Sequence, residues 1–446
     1  MDIGGVPLGG NFPIRVQSMT DTPAHDVKAT LAQCIRAFEA GADYMRIGIP
    51  DKAAVHALGQ LKKGLKQSGF HQPLIADVHF SATLSLQAAR IADKVRINPG
   101  NYTPRASGTI CSGQQDRLKA QEIIRSRLKP LTGVCREYGT AIRIGTNAAS
   151  LPQHVIASYG RGAEAMVEVT MEFLQALTDL GFYRIVVSLK ASDPLTTIRA
   201  YRLMAERMKK EKLQFPMHTG VTEAGEGISG RVKSALGIIL LLQDGIGATF
   251  RASLTDPPEA EIAFAKALRS NYRFARTPQS EASGMTYTGN NKDGLIARIV
   301  AECAPLLLGG KLSDFDLHTP GISDPRFPVA VAESLMQACG LKSTATEFVV
   351  CPGCARCNFN IREVIGELRK RLPEMPGRKI AVMGCAVNGP GEIAEANYGL
   401  LGTPAGSLNL YRGKRMVVSG LEPAEALEAM EEMIKRDLRK ASTPRE

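Results

Sequence analysis

The sequence predicts an α/β protein: an eight-stranded (β/α)8 TIM barrel followed by a smaller α/β domain organised around cysteines. Three observations predict it. The chain has 446 residues, more than one core usually organises, since single cores stop growing at roughly 250 to 300 residues. Through residue 255, strand-like runs alternate with helical patterns, as parallel strands joined by crossover helices require. Cysteines then cluster late, four of the nine falling between Cys351 and Cys385.

The strand-like runs lie at Ile14 to Ser18, Tyr44 to Ile49, Pro73 to Asp77, Lys94 to Asn98, Ala141 to Gly145, Arg184 to Ser188, Met217 to Val221 and Thr249 to Ser253. Between them the 3.6-residue period marks helices such as Val27 to Ala40, Arg117 to Tyr138, Ala163 to Leu180 and Gly230 to Gln243. Eight units in this span match the roughly 250 residues of an ordinary barrel. An open doubly wound sheet is the second choice, but no G-x-G-x-x-G follows the first strand, so the dinucleotide signature is missing. Residues 1–255 are therefore read as the barrel, 256–347 as a linker or insert and 348–446 as the second domain. The linker is loop-rich around Thr277 to Asp293, with helical patterns near Gly294 to Leu308 and Pro328 to Cys339.

Composition narrows the setting. Apolar residues make up 44% and charged residues 22%, the balance of a core-forming chain. The longest apolar run, Ala235 to Leu242, is fenced by Lys233 and Asp244 and is too short to cross a bilayer, so no membrane partner is expected. Met1 to Gly10 lacks the pattern of a secretory signal, and an odd cysteine count argues against a disulfide framework. A cytoplasmic location with reduced thiols is the expectation. Cys34, Cys111, Cys135, Cys303 and Cys339 are scattered and read as small core hydrophobes. A net charge of +11 favours acidic partners. Nucleic acid is not among those expected, because Trp is absent and aromatics are only 5%, leaving no stacking platform for bases.

The strand ends carry the chemistry. Alternate residues of a barrel strand face the interior, and the alternating pairs here are Arg46 with Gly48, Asp77 with His79, Arg96 with Asn98, Arg143 with Gly145 and Asn147, Ser188 with Lys190, and Arg251 with Ser253. The residues between them are largely apolar, so the polar set faces inward. Arg46, Arg96, Arg143, Lys190 and Arg251 then converge on one mouth, with few acids beside them, chiefly Asp77 and Glu223. Such a ring is costly to desolvate unless an anion fills it. Guanidinium forks match phosphate oxygens, and Asn98, Asn147 and Ser253 add neutral donors, so the expected ligand carries more than one phosphate charge. His79 stands where it can steer a proton beside Asp77, whereas His218 reads as structural. Glu223, in Thr222-Glu223-Ala224-Gly225, is a candidate acid or base that the surrounding cations are expected to keep charged.

The late cysteines define a second site. Cys351-Pro352-Gly353-Cys354 is a C-x2-C element, and Cys385 ends the strand Lys379 to Gly384. Asn388-Gly389-Pro390-Gly391-Glu392 then reads as a tight turn that folds Glu392 back toward Cys385. Three thiols, one carboxylate and no His from residue 319 onward suit an iron-sulfur cluster better than a structural zinc. On spacing alone two ligand sets remain open: Cys351, Cys354, Cys385 and Glu392, or four thiols including Cys357.

These residues resemble the 4-hydroxy-3-methylbut-2-enyl diphosphate synthase family, an iron-sulfur oxidoreductase family of the methylerythritol phosphate route to isoprenoids. The resemblance rests on Val16-Gln17-Ser18-Met19-Thr20, Ala76-Asp77-Val78-His79-Phe80, Arg96-Ile97-Asn98-Pro99-Gly100-Asn101, Arg143-Ile144-Gly145-Thr146-Asn147, Lys190-Ala191-Ser192-Asp193, Thr222-Glu223-Ala224-Gly225, Cys351-Pro352-Gly353-Cys354 and the run from Gly384 to Glu392. It implies a barrel that holds a diphosphate and a C-terminal domain that holds a 4Fe-4S cluster. The implied reaction is reductive opening and dehydration of 2-C-methyl-D-erythritol 2,4-cyclodiphosphate to 4-hydroxy-3-methylbut-2-enyl diphosphate, with reduced ferredoxin or flavodoxin as donor and a homodimeric assembly. Implied cluster ligands are Cys351, Cys354, Cys385 and Glu392. Implied substrate contacts are Arg46, His79, Arg96, Asn98, Arg143, Asn147, Lys190, Arg251 and Ser253, with Glu223 and Glu392 catalytic. Cys357 stands where the family has a polar residue such as Thr and is expected not to ligate. The competing expectations are a non-redox barrel enzyme for a phosphorylated metabolite with a structural metal, and a basic nucleic-acid-binding protein with a zinc knuckle.

Overall fold

A computed structural model describes residues 1–102, 114–274, 284–313 and 315–442. Eight parallel strands form the barrel: β1 (Arg15–Met19), β2 (Tyr44–Gly48), β3 (Leu74–Asp77), β4 (Lys94–Ile97), β5 (Ala141–Asn147), β6 (Ile185–Lys190), β7 (His218–Thr219) and β8 (Thr249–Phe250). They pair in the order β6-β5-β4-β3-β2-β1-β8-β7. A parallel bridge between Val187 and Met217, with Val187 N donating to Pro216 O at 2.9 Å, joins the two ends of that order. Each strand falls where the sequence places it, with β5 and β6 running two residues further. Helices follow the strands and start on side-chain caps: Asp26 accepts from Ala29 N, Asp51 from Ala54 N, Ser81 from Leu84 N and Asp193 from Thr196 N.

The alternation has the sense the sequence predicts. Met45, Ile47, Val95, Ile97, Ile142, Ile144, Val187 and Leu189 point outward and join the helices in one large apolar cluster. Their alternates point inward, and the barrel interior is apolar only at its base. There Ile3 and Leu8, from the N-terminal hairpin of Asp2–Ile3 with Val6–Pro7, pack against Tyr44, Ile75, Ala141 and Val186. Above that plug the inward side chains are polar, which opens the strands' C-terminal mouth to a charged ligand.

Residues 256–347 do not hang free of the barrel. Helix Pro258–Asn271 packs on β1, while helices Lys292–Leu308 and Arg326–Ala338 pack along helix Gly227–Gln243. That helix is therefore covered on both sides, which explains why the longest apolar run lies within it. A short ribbon pairs Gly284–Thr286 with Asp316–His318. Part of the loop-rich stretch expected at Thr277 to Asp293 lies outside the described residues, as does Cys111. Cys34, Cys135, Cys303 and Cys339 are buried, as expected.

The C-terminal sheet has five strands: β9 (Glu347–Val350), β10 (Lys379–Met383), β11 (Tyr398–Gly402), β12 (Leu408–Arg412) and β13 (Arg415–Leu421). The first three are parallel and the last two antiparallel. Helices Ile361–Arg371 and Pro423–Ser442 pack on one face, and the short helix Gly389–Ala394 packs on the other. That short helix also meets residues 148–150 beyond β5, where a Cβ on Gly391 would lie 1.9 Å from Ala149 O. Only glycine permits so close a backbone approach.

Candidate active site

A cleft opens between the barrel mouth and the loop 351–357. Its barrel wall includes Arg46, Asp77, His79, Arg96, Arg143, Asn147, Lys190, Glu223, Arg251 and Ser253, and its other wall includes Cys351, Cys354, Arg356, Cys385 and Asn388. Strand ends supply the first set and loops after β9 and β10 supply the second. The seam is hydrogen-bonded: Val350 N donates to Glu223 O at 3.3 Å and Asn388 Nδ2 to Glu223 Oε1 at 3.1 Å.

The cations differ in what they touch. Arg251 donates Nε to Glu261 Oε1 at 2.9 Å and Nη2 to Glu261 Oε2 at 3.0 Å. Burial works against its charge, but Glu261 holds its pKa above the ordinary value. Arg96 reaches Asp77 Oδ1 at 3.3 Å and Gly145 O at 2.8 Å. Arg46 meets no carboxylate and donates to Met19 Sδ at 2.9 and 2.7 Å; burial lowers its pKa to about 10. Arg143 Nε and Nη1 have no partner, and burial with Arg46 and Arg96 nearby depresses its pKa strongly. Burial and Arg143 likewise lower the pKa of Lys190 far below the lysine range. Beneath them Lys94, absent from the sequence expectation, is fully buried, with its ammonium 4.7 Å from the Tyr44 ring centre and without a hydrogen-bond partner.

The acids divide as well. Burial alone would raise Asp77, but Arg46, His79 and Arg96 hold its pKa well below the carboxylate range. His79 lies 3.2 Å from Asp77 Oδ2, and burial with Arg96 beside it lowers its pKa to about 3, so the ring is neutral. For Glu223, burial outweighs the hydrogen bonds of Thr222 and Asn388 and the charges of Lys190 and Arg251, and raises its pKa above the ordinary carboxylate value. Its Oε2 has no partner, and its backbone sits at φ 49, as Ser253 does at φ 55. Left-handed non-glycine residues are strained, and two at one cleft mark a site that over-determines its geometry.

Two expected residues are elsewhere than anticipated. Asn98 is fully buried and its amide is taken up by Ser150 Oγ at 2.9 Å, with Gly100 N donating to its Oδ1 at 3.2 Å; it does not line the cleft. Residues Gly389–Ala394 form a helical turn with Pro390 near its start rather than a tight turn. This directs Glu392 to Ser192, whose Oγ donates to its Oε2 at 2.7 Å, and burial with Glu223 nearby raises its pKa to about 8. Besides Lys94, three residues were missed: Glu261, Arg356 and Ser192. Ser192 was within reach, since it continues the alternation of Lys190.

Among the described residues, no His, Cys, Asp or Glu group is gathered at metal-binding distance. The donor chemistry nevertheless fits a thiophilic metal group. Cys351, Cys354 and Cys385 line the same wall. Burial holds the Cys351 thiol well above its ordinary pKa and pushes Cys385 up to about 12, so a bound cation is what would favour their thiolates. Cys357 is absent from that wall; its Sγ donates to Phe359 O at 3.4 Å, and burial raises its pKa to about 11.

Comparison with known proteins agrees with this architecture. The GcpE TIM-barrel domain matches residues 1–266 and the GcpE protein C-terminal domain matches residues 347–436. A 4-hydroxy-3-methylbut-2-en-1-yl diphosphate synthase (ferredoxin) from Synechococcus sp. is 37% identical over 439 residues, covering 98% of this chain and 93% of its own length. One from Gloeothece citriformis is 36% identical over 439 residues, covering 98% and 91%. A flavodoxin-named synthase from Bacteroides fragilis is 30% identical over 594 aligned positions, covering 98% and 95%.

Proposed function

The chain belongs to the GcpE family, and from that membership and the chemistry of the cleft we infer that it reductively opens 2-C-methyl-D-erythritol 2,4-cyclodiphosphate to 4-hydroxy-3-methylbut-2-enyl diphosphate. The observation that carries this reading is one cleft with buried cations on one wall and three thiols on the other. A cyclic diphosphate answers the Arg143 N–H groups left without a partner among the described residues, and Arg forks suit its oxygens. In this reading Arg46, Arg96, Arg143, Lys190 and Arg251 hold the diphosphate with His79, Asn147 and Ser253. Asn98 acts behind them by fixing Ser150. Glu223, whose pKa burial raises, presents to the cleft an oxygen without a partner among the described residues and serves as the acid for the proton that accompanies loss of a hydroxyl.

Cys351, Cys354 and Cys385 would hold a 4Fe-4S group, which when bound supplies electrons one at a time and a site for a substrate oxygen. Glu392 would be the fourth ligand, and to serve as one it would have to leave Ser192 Oγ. The two donor names borne by relatives suggest reduced ferredoxin or flavodoxin as the partner, and the chain's +11 charge suits an acidic carrier. The non-redox alternative is not favoured by relatives named for electron carriers. Among the described residues no helix is long and apolar enough to cross a membrane. A homodimer remains part of the proposal, with each cleft built from one chain's barrel and that chain's own cysteine loop.

The test is turnover of the cyclodiphosphate by anaerobically reconstituted protein with dithionite as reductant. Glu392→Ala is expected to abolish it while leaving pyrophosphate binding intact. Unchanged turnover in that variant overturns the ligand assignment, and brownless, zinc-containing holoprotein overturns the redox reading.

A further inference from the structure

Arg356 lies between Cys354 and Cys357 on a loop without regular secondary structure, yet its guanidinium lies in the mouth of the barrel. Nη2 donates to the Asp77 carbonyl at 2.7 Å and Nη1 to Asp77 Oδ2 at 3.4 Å. The side chain is only 10% exposed and lines the cleft. Asp77 is already shared, taking Arg96 on Oδ1 and facing His79 with Oδ2. The loop approaches the barrel closely at one point: a Cβ on Gly48 would lie 3.3 Å from Ala355 Cβ and 3.4 Å from Arg356 Nη1.

We propose that Arg356 is a positioning residue that couples seating of the cysteine loop to filling of the diphosphate cradle. The proposal rests on the diphosphate reading of the cleft but concerns how that cleft is assembled. A guanidinium has five N–H donors, and Asp77 accepts only part of them. An anion in the cleft takes donors left over, and those donors are in place only when the loop is seated on the barrel. Binding and seating then stabilise each other by the same factor, as linkage requires. The planar fork matters: one edge must hold Asp77 while another faces the ligand, which a lysine ammonium cannot reproduce. Arg362 provides the contrast. It also crosses the seam, donating to Thr255 O at 2.6 Å and Asp21 Oδ2 at 2.6 Å, but it does not line the cleft.

The experiment uses full-length anaerobic holoprotein with inorganic pyrophosphate as the probe, comparing wild type with Arg356→Gln, Arg356→Lys and Arg362→Gln. Calorimetry reads affinity, and hydrogen exchange reads amides such as Cys357 N, which donates to Cys354 O at 2.8 Å when the loop is seated. Pyrophosphate is expected to slow exchange of residues 351–357 in wild type and in Arg362→Gln. In Arg356→Gln, affinity is expected to fall about ten- to hundredfold, the loss of one charge-assisted contact, and the slowing to vanish. Arg356→Lys is expected to recover part of the affinity but not the slowing, which also covers a glutamine variant that fails to fold. Slowing of equal size in wild type, Arg356→Gln and Arg356→Lys overturns the coupling. Coupling without cyclodiphosphate turnover overturns only the proposed reaction, whereas turnover without coupling overturns only this inference.

Discussion

Opposite walls of the barrel treat a buried cation in opposite ways. On β8 and the helix that follows, Arg251 has an acid of its own: Glu261 is 2% exposed and accepts from Arg251, Ser18 Oγ and Leu254 N. On β4 and β5, Lys94 and Arg143 are as deeply buried, and among the described residues no carboxylate meets either. Burial of a cation is therefore not in itself the mark of a ligand site. The informative quantity is whether the fold supplies the counter-charge: Arg96 has Asp77, whereas for Arg143 the fold leaves that to whatever enters the mouth.

The largest effect expected from this contrast is on the satisfied side. Glu261→Gln removes the charge that compensates Arg251 and leaves a guanidinium buried without one. The expected loss is about 3 to 5 kcal/mol of unfolding free energy, measured by denaturant titration. A loss below about 1 kcal/mol, typical of exposed pairs, would mean that Arg251 is hydrated, and the contrast between the walls would disappear.

The unsatisfied side should respond with the opposite sign. Lys94 has only the Tyr44 ring face to offset its desolvation, and burial with Arg143 and Arg46 nearby depresses its pKa far below the lysine range. Lys94→Met keeps the length and removes the orphan amine, so the empty protein is expected to gain about 1 to 3 kcal/mol. Destabilisation in the same titration would show that Lys94 has a partner. The gain is expected to coexist with weaker pyrophosphate binding, because an anion above the amine favours its protonated form and methionine cannot answer it.

The same contrast explains which parts were legible in the sequence. Side-chain alternation is a property of the strand alone, so Arg46, Arg96, Arg143, Lys190 and Arg251 could be placed inward from their spacing. What each cation touches is not a local property. Glu261 reaches Arg251 from a helix, and its only signal was its position on the same buried face as Ile262, Phe264, Ala265 and Leu268. Asn98 looked like a ligand donor because nothing in its strand reveals that Ser150, far along the chain, takes up its amide. Arg356 and the Ser192 contact to Glu392 depend on how two domains meet, which neither domain's periodicity encodes. The extent of the linker's packing was hidden for the same reason, although the all-apolar run Ala235 to Leu242 was a sign that something covered that helix.

The smallest effect is a pH dependence that comes from the barrel interior beside the β8 wall. His218 belongs to the unsatisfied interior: its Nδ1 faces Thr249 Oγ1 at 3.4 Å, its Nε2 has no partner, and the cations that bear on it are Arg143, Lys190, Lys94 and Arg46. Burial first, then those cations, lowers its pKa well below the ordinary 6.5. The folded protein therefore cannot take up the proton that the unfolded chain binds near pH 6.5, and stability present above that pH is lost as pH falls. Each further unit below it removes about 1.4 kcal/mol. His79, lowered to about 3, contributes with the same sign. Unfolding titrations at pH 7.5 and 5.5 should show a loss in wild type that His218→Gln reduces by about 1.4 kcal/mol. An equal loss in both proteins would mean that His218 protonates inside the fold, which requires a counter-charge that no described residue supplies to its ring.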